Sequence, residues 1–324
     1  MKFDPYKKKV HKQWKDKLLD LSIIILNNDD FKNTSQLIES IHKHIKSITY
    51  EIIVADNASK EYEFSLLREK HPYIRIIQYQ HNLDFAKGNN LGIHTARGNY
   101  LLFLSNNTYL DEDNLHYLIE TIETENNIGG VCPQIQYVTN NKFIQPDKHP
   151  PFTHYSLHNH NIHISSSNEQ ESFKEIPYLY REAMLIKSEI LKHIGYLPEM
   201  YHLYYEEFDW SISIRNAGYR IIFDPRCTIH CKDYKNTNEP TPLQIYYLTR
   251  NRLLFAYRNY KRVNYIIYTI HLLCIILPRE CLFYILQYQT EQLHATLRGT
   301  KDYFKLKKKE KLDQDYFKFS YLDN

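Results

Sequence analysis

Through the first hundred residues, short apolar runs alternate with stretches whose apolar residues recur every three or four positions. Leu21–Leu26 (L-S-I-I-I-L) reads as a buried strand, and Leu37, Ile38, Ile41 and Ile45 then stripe one face of a helix. Glu51–Ala55 repeats the strand signal and ends at Asp56, and Arg75–Tyr79 is a third strand ending near Asn82. A helix over Phe85–Ala96 and a fourth strand over Tyr100–Leu104, ending at Ser105, continue the alternation. Strands alternating with helices predict βαβ units, hence an α/β fold with a mostly parallel sheet covered on both faces. Ligands of such sheets bind beyond the carboxyl ends of the strands. The polar clusters Asn27-Asn28-Asp29, Asp56-Asn57-Ala58-Ser59 and Ser105-Asn106-Asn107 all fall at those ends, so a cleft is expected there.

Periodicity fades over 133–176, a stretch rich in Asn, His, Ser and Pro. His149, His154, His158, His160 and His163 cluster in it, but their spacing repeats on no helical face. A polar surface loop or acceptor-side lid is favoured over a metal site. Ile176–Lys187 reads as one strand, and Ser188 caps a short helix running to Gly195. Tyr204–Arg220 then carries three acids, Glu206, Glu207 and Asp209, ahead of Trp210, Ile214 and Ala217 at i, i+4 and i+7. Gly218 follows, where a left-handed C-terminal cap belongs. Acids at a helix N-terminus are favoured by the exposed amides, yet three on one braced turn suit a carboxylate that takes a proton or holds a cation. Ile221–Phe223 is a further strand leading to Cys227–Cys231 and His230.

From Pro240 the pattern turns helical, with Ile245–Tyr260 and then a strongly apolar Tyr265–Leu277. Pro278-Arg279-Glu280 is expected to break the latter before Cys281–Leu286, leaving neither piece long enough to cross a membrane alone. A helical pair packed on the α/β domain, or lying in the membrane interface, is expected instead. Three regions follow: a basic segment over 1–20, an α/β domain over 21–235, and a helical region with a basic tail over 236–324.

Composition narrows the classes. The 324 residues are 43% hydrophobic, enough for a full core, and the net charge of +3 is too small to imply nucleic acid. Lysines gather at both ends, Lys2 to Lys17 and Lys301 to Lys311, which suggests peripheral attachment to an anionic membrane surface. Five cysteines, odd in number and irregular in spacing, argue for a reducing compartment rather than a disulfide framework. No apolar signal core follows the polar N-terminus, so the expected location is cytoplasmic, at the inner face of the plasma membrane. Gly88-Asn89-Asn90-Leu91-Gly92 lacks the dinucleotide fingerprint. Its glycines are expected to let the helix pack close to the sheet, with the Asn90 amide pointing into the cleft.

With these pieces in order, the chain resembles the family 2 inverting glycosyltransferases of the GT-A fold, in the rhamnosyltransferase-like branch that builds bacterial surface polysaccharides. The resemblance runs from about Leu21 to about Tyr260. It rests on S-I-I-I-L-N-N at 22–28, V-A-D-N-A-S at 54–59, H-N-L-D-F-A-K-G-N-N-L-G-I at 81–93 and Y-L-L-F-L-S-N-N-T at 100–108. Further on it rests on A-M-L-I at 183–186, I-G-Y-L-P-E at 194–199, Y-E-E-F-D-W at 205–210, R-N-A-G-Y-R at 215–220 and T-R-N-R at 249–252. The resemblance implies a nucleotide-sugar donor and a glycan or lipid-linked saccharide acceptor. It implies that Asp56 binds the base and ribose, with Asn27, Asn57, Ser59, Asn82, Lys87, Asn90 and Asn106 around the nucleotide-sugar. Glu207 falls where the family usually holds its catalytic aspartate, with Glu206 and Asp209 beside it. His230 matches a histidine that approaches the metal and diphosphate.

Inverting transfer needs a carboxylate to take the acceptor's proton and positive charge on the leaving diphosphate, usually Mg²⁺ or Mn²⁺. The family's metal motif, which usually ends in aspartate, falls on Ser105-Asn106-Asn107 and has no carboxylate. Three readings stand: weak metal binding through Asn107 and His230, metal-free catalysis with Lys or Arg, or a catalytically degenerate relative that binds a glycan or partner. Asp84, and Arg181-Glu182 ahead of A-M-L-I, also depart from the family's small residues and crowd the expected pocket. A nucleotidyltransferase would want a Gly/Arg-rich loop after the first strand, where Asn27-Asn28-Asp29 stands instead.

Overall fold

A computed structural model describes residues 19–79, 84–138, 142–144, 164–165, 173–232 and 240–312. The expectations placed on Lys2 to Lys17, on Asn82 and on the histidines from His149 to His163 lie outside the described residues.

Four parallel strands form one half of the sheet: β1 (Leu21–Asn27), β2 (Tyr50–Asn57), β3 (Arg75–Tyr79) and β4 (Tyr100–Ser105). Helices α1 (Phe31–His44), α2 (Glu61–Lys70) and α3 (Phe85–Thr95) connect them. The apolar runs form strands because both sheet faces are covered. Ile23 and Ile25 belong to one buried cluster, and Ile24 to the other. α3 lies close enough that a Cβ at Gly88 or Gly92 would collide with Leu26 or Ile24.

Beyond β4 the sheet continues through β5 (Thr108–Tyr109), β6 (Ile128–Tyr137), β7 (Lys142–Ile144), β8 (Ile164–Ser165), β9 (Lys174–Glu175), β10 (Ala183–Lys187) and β11 (Arg220–Cys231). The strand order is β3-β2-β1-β4-β10-β6-β11-β5. β10 runs antiparallel to both β4 and β6, whereas β11 is parallel to β6. α4 (Leu115–Glu123) packs on this half, and the short α5 (Leu191–Ile194) ends at Gly195, whose φ is +73°.

Two expected strands change length. Ile176–Lys187 is strand only over β10, Ala183–Lys187, because Ile176 and Leu179 bury their side chains in an irregular stretch rather than in a ladder. Ile221–Phe223 extends instead to twelve residues, crossing a register shift between Asp224 and Thr228.

α6 (Glu206–Asn216) carries the acidic trio. Trp210 and Ile214 are fully buried, but Ala217 lies past the helix end and is exposed. Gly218 takes the expected left-handed cap at φ +89°. α7 (Pro242–Asn259) opens on a capping box in which the Thr241 hydroxyl and the Gln244 side chain satisfy each other's backbone N–H groups.

The break expected at Pro278 does not occur. One helix runs from Arg262 to Leu286 through α8 (Arg262–His271), a π-helical turn (Leu272–Ile276) and α9 (Leu277–Leu286). The π turn shifts the bonding register so that the Leu277 N–H reaches Leu272 O. Pro278 follows directly, and the change of register ahead of it accommodates its missing N–H inside the continuous helix. This helix is long and apolar enough to cross a membrane by length and composition. α10 (Thr290–Leu312) packs along α7, with Gly299 against the Tyr246 carbonyl.

Candidate active site

At the carboxyl ends of β1 and β2 a closed polar network forms. Asn27 Nδ2 donates to Asp56 Oδ1 (2.7 Å) and to Ser59 Oγ (3.0 Å). Asn27 Oδ1 accepts from Thr34 Oγ1 at 2.6 Å, and the Ser59 N–H donates to Asp56 Oδ2 at 3.3 Å. Asn27 and Asp56 sit in register on adjacent strands, so the sheet itself places them. Asp29 and Ala58 turn the chain away in the left-handed region, and Ser59 Oγ holds the Asp29 N–H at 2.9 Å. Asn57 is buried beside them.

The remaining residues expected around the nucleotide divide. Asn106 Nδ2 reaches Thr34 Oγ1 at 3.5 Å, which ties β4's end to the same network. Lys87 Nζ lies 4.0 Å from Asp84. Asn90 does not offer its amide to the cleft. It donates to Leu197 O (3.0 Å) and Glu199 Oε1 (2.9 Å) and accepts from the Leu197 N–H, fastening α3 to the segment after α5.

The α6 glutamates form the second centre. Both are buried, and neither carboxylate oxygen of Glu206, nor Oε2 of Glu207, has a hydrogen-bond partner among the described residues. Burial pushes the Glu206 carboxyl up to about 7, opposed by Arg181 and reinforced by Glu207. Burial also raises Glu207, again opposed by Arg181. Arg181 Cζ lies over the Phe85 ring, 3.8 Å from its centroid, with Nη1 3.5 Å from Glu206 Oε2. Neither glutamate pairs with Arg215 or Arg220; Arg220 is held by Glu125 and Glu175.

Asp209 does different work from its neighbours. Its carboxylate accepts from Tyr201 Oη (2.5 Å), Arg258 Nε (2.9 Å) and Asn259 Nδ2 (2.9 Å). A carboxylate so fully bonded anchors α6 to α7 and is not free to take a substrate proton.

The turn feeding α6 is strained: His202, Tyr204 and Tyr205 all have positive φ, at 64°, 67° and 83°. Each costs of order 1–3 kcal/mol unless the surroundings impose it. Here Asn251 Nδ2 donates to the carbonyls of Tyr201, Leu203 and Tyr204 at 2.9, 2.7 and 3.0 Å, while Arg250 donates to those of Met200 and Tyr201. His202 Nδ1 contacts Asp84, linking the turn to the start of α3.

At the end of β4, Asn107 Oδ1 is buried without a hydrogen-bond partner among the described residues. The His230 ring stacks on Tyr109 and pairs with Asp111 at 2.9 Å. No three His, Cys, Asp or Glu side chains gather among the described residues. An orphan carbonyl oxygen suits a cation, but it is neutral, so charge enough to hold a hard dication must come from a bound diphosphate.

Sequence reasoning missed Thr34, the counter-charge role of Arg181 and the Asn251 clamp. Arg181 had a signal, since it was the unexpected charge ahead of A-M-L-I. Asn251 had none beyond its place in T-R-N-R, because its partners lie about fifty residues upstream.

A largely parallel sheet reversed at β10, with polar residues at its strand ends and buried acids at the start of a following helix, is the architecture of a GT-A glycosyltransferase. The chain belongs to glycosyl transferase family 2, whose pattern matches residues 11–195. It is similar to the low-salt glycan biosynthesis hexosyltransferase Agl10 of Haloferax volcanii, 26% identical over 248 residues covering 72% of this chain and 75% of that one. Its fold is similar to that of S. aureus TarS 1-349 in complex with UDP-GlcNAc (TM-score 0.58, 15% identity, 86% of this chain and 79% of that one). It is also similar to GalNAc-T7 with UDP, GalNAc and Mn²⁺ (TM-score 0.53, 14% identity, 75% of this chain), where it spans about half, 51%, of the neighbour's length.

Proposed function

We propose that this protein is an inverting glycosyltransferase that moves a sugar from a UDP- or dTDP-linked donor to a hydroxyl of a glycan or lipid-linked saccharide. We assign it to the synthesis of surface polysaccharide, in the rhamnosyltransferase-like branch. The observation that carries the reading is the pair of buried glutamates at the start of α6, where both oxygens of Glu206 and Oε2 of Glu207 lack a hydrogen-bond partner among the described residues and Arg181 stands beside Glu206. A protein that only borrowed the fold would have no reason to bury two carboxyls and leave them unspent, since each costs free energy to desolvate.

The network of Asn27, Asp56 and Ser59 holds the donor's nucleoside. Asp56 keeps acceptor capacity for a base N–H or ribose hydroxyl beyond its bonds to Asn27 and Ser59. Glu207 takes the proton from the acceptor hydroxyl as that oxygen attacks the anomeric carbon and the bond to the diphosphate breaks. Its raised proton affinity makes it a stronger base than an exposed glutamate. Burial sets that affinity first, Arg181 opposes the rise, and the negative charge of Glu182 adds to it. A Mg²⁺ or Mn²⁺ ion brought in with the diphosphate would be held by Asn107 Oδ1, and would supply positive charge on the leaving group.

The test is turnover of a panel of UDP-, dTDP- and GDP-sugars by wild type and Glu207→Gln. Turnover by wild type that is lost in Glu207→Gln supports the reading. Absence of both turnover and nucleotide binding in wild type overturns it and leaves a binding protein on a transferase fold.

A further inference from the structure

The helix Arg262–Leu286 leaves most of its apolar surface uncovered. Val263, Ile266, Ile267, Ile270, Ile275 and Leu282 are all exposed, Ile267 by 61% and Ile270 by 57%. No charged residue lies between Arg262 and Arg279. A contiguous apolar face of this kind marks a contact surface rather than ordinary scatter.

The opposite face is fixed. Leu272, Ile276 and Leu277 pack with Tyr201, Tyr205 and Phe255, and Tyr284 packs with Ile245 and Ala295. Glu280 faces Arg252 at 3.5 Å from the same side. To cross a bilayer the helix would have to strip those side chains from the core, so it lies along its partner instead of passing through.

The surrounding charge identifies the partner. Lys261 and Arg262 are exposed at the helix start and Arg279 along it, while Arg298, Lys301 and Lys305 are exposed on α10. Among the described residues from 261 to 308, Glu291 is the one exposed acid. Arg298 and Lys305 also pair with Asp302, which leaves Lys261, Arg262, Arg279 and Lys301 as cations with no ion pair among the described residues. An exposed apolar helix face in a segment whose exposed charges are mostly cationic suits the interface of an anionic bilayer.

We infer that Arg262–Leu286 is a membrane-docking helix that seats the protein side-on in an anionic lipid surface. The docking stands apart from the transferase reading, and only its consequence rests on it. Tyr205, immediately before Glu206, packs in the same cluster as Leu272 and Ile276, so docking sets the start of α6 on the protein side of the membrane-seated helix. A lipid-linked acceptor would then meet the site at the membrane surface.

The experiment uses the full chain and vesicles of phosphatidylcholine, alone or mixed with phosphatidylglycerol. Cosedimentation is expected with the mixed vesicles, weakening as salt rises. Ile267→Glu with Ile270→Glu should weaken it by about tenfold or more while circular dichroism stays unchanged. An environment-sensitive fluorophore on the exposed Cys274, in a Cys281→Ser background, should shift to the blue on binding. Absence of binding to the mixed vesicles overturns the inference. So does undiminished binding by the double variant, which would place attachment in the lysine-rich chain ends. A concentration-dependent dimer that the double variant converts to monomer would assign the face to a second copy instead.

Discussion

Arg181 Nη1 sits 3.5 Å from Glu206 Oε2, too far for a hydrogen bond but close enough to set the charge balance of both buried glutamates. The guanidinium is held by Phe85 rather than by the carboxylate, so it opposes the proton affinity of Glu206 and Glu207 without consuming their oxygens.

Removing that charge should therefore raise both glutamates. With Arg181→Met, the acidic limb of the pH–rate profile is expected to move to higher pH, because the base must be ionised to act. Arg181→Lys keeps the charge but loses the guanidinium contact with the Phe85 ring, and should move the limb less. An unmoved limb in Arg181→Met would show that the arginine does not face the working base.

The base itself is tested by Glu207→Gln, which keeps shape and removes proton affinity. Turnover should fall by about 10²–10⁴-fold, the usual range for loss of a general base. Nucleotide binding, measured by calorimetry with UDP, should persist, because the Asn27–Asp56–Ser59 network lies on other elements.

Burial of Glu206 also makes stability depend on pH. Its folded-state carboxyl titrates at about 7, above the ordinary 4.5, so the folded state binds the proton more tightly than the unfolded chain. Between those values stability from this group falls as pH rises, and the whole penalty is present above about 7. Glu206→Gln should consequently raise the melting temperature more at pH 8, above that window, than at pH 5, near its lower edge. Equal effects at the two pH values would show that the carboxyl is already hydrated.

How much of this was legible beforehand follows from range. β1, β2 and β4 could be read because strands buried on both faces become continuous apolar runs, and the Asn27–Asp56 pairing follows once they lie in register. α6 was legible from Trp210, Ile214 and the cap at Gly218. The Ile176 stretch was over-read, because burial of Ile176 and Leu179 looks the same in sequence whether or not a ladder forms. Pro278 was over-weighted, since a π turn just upstream can absorb a proline. Asn90 and Asn251 are buried amides whose partners are remote in sequence, and no local pattern reports such bonds.

Metal binding should depend on nucleotide. Asn107 offers a neutral oxygen, so Mn²⁺ is expected to bind measurably only when UDP is present, as followed by paramagnetic resonance of the free ion. Asn107→Asp adds the missing charge at the same position and should give Mn²⁺ binding without UDP. Strong Mn²⁺ binding by the unliganded wild type would point instead to Asp111 and His230 as ligands.

The Asn251 clamp makes the last claim. Asn251→Ala leaves the carbonyls of Tyr201, Leu203 and Tyr204 without the donor they now share, which should destabilise the fold by about 1–3 kcal/mol. It also releases a turn holding three residues at positive φ directly before Glu206 and Glu207. Asn251→Asp is the sharper variant, because it keeps the volume and sets a carboxylate against three carbonyl oxygens. Both should lower kcat by a larger factor than they change the affinity for UDP, since the turn carries the glutamates and not the nucleoside network. A variant that loses stability but keeps kcat would show that the turn holds its shape unaided and that Asn251 only braces the fold.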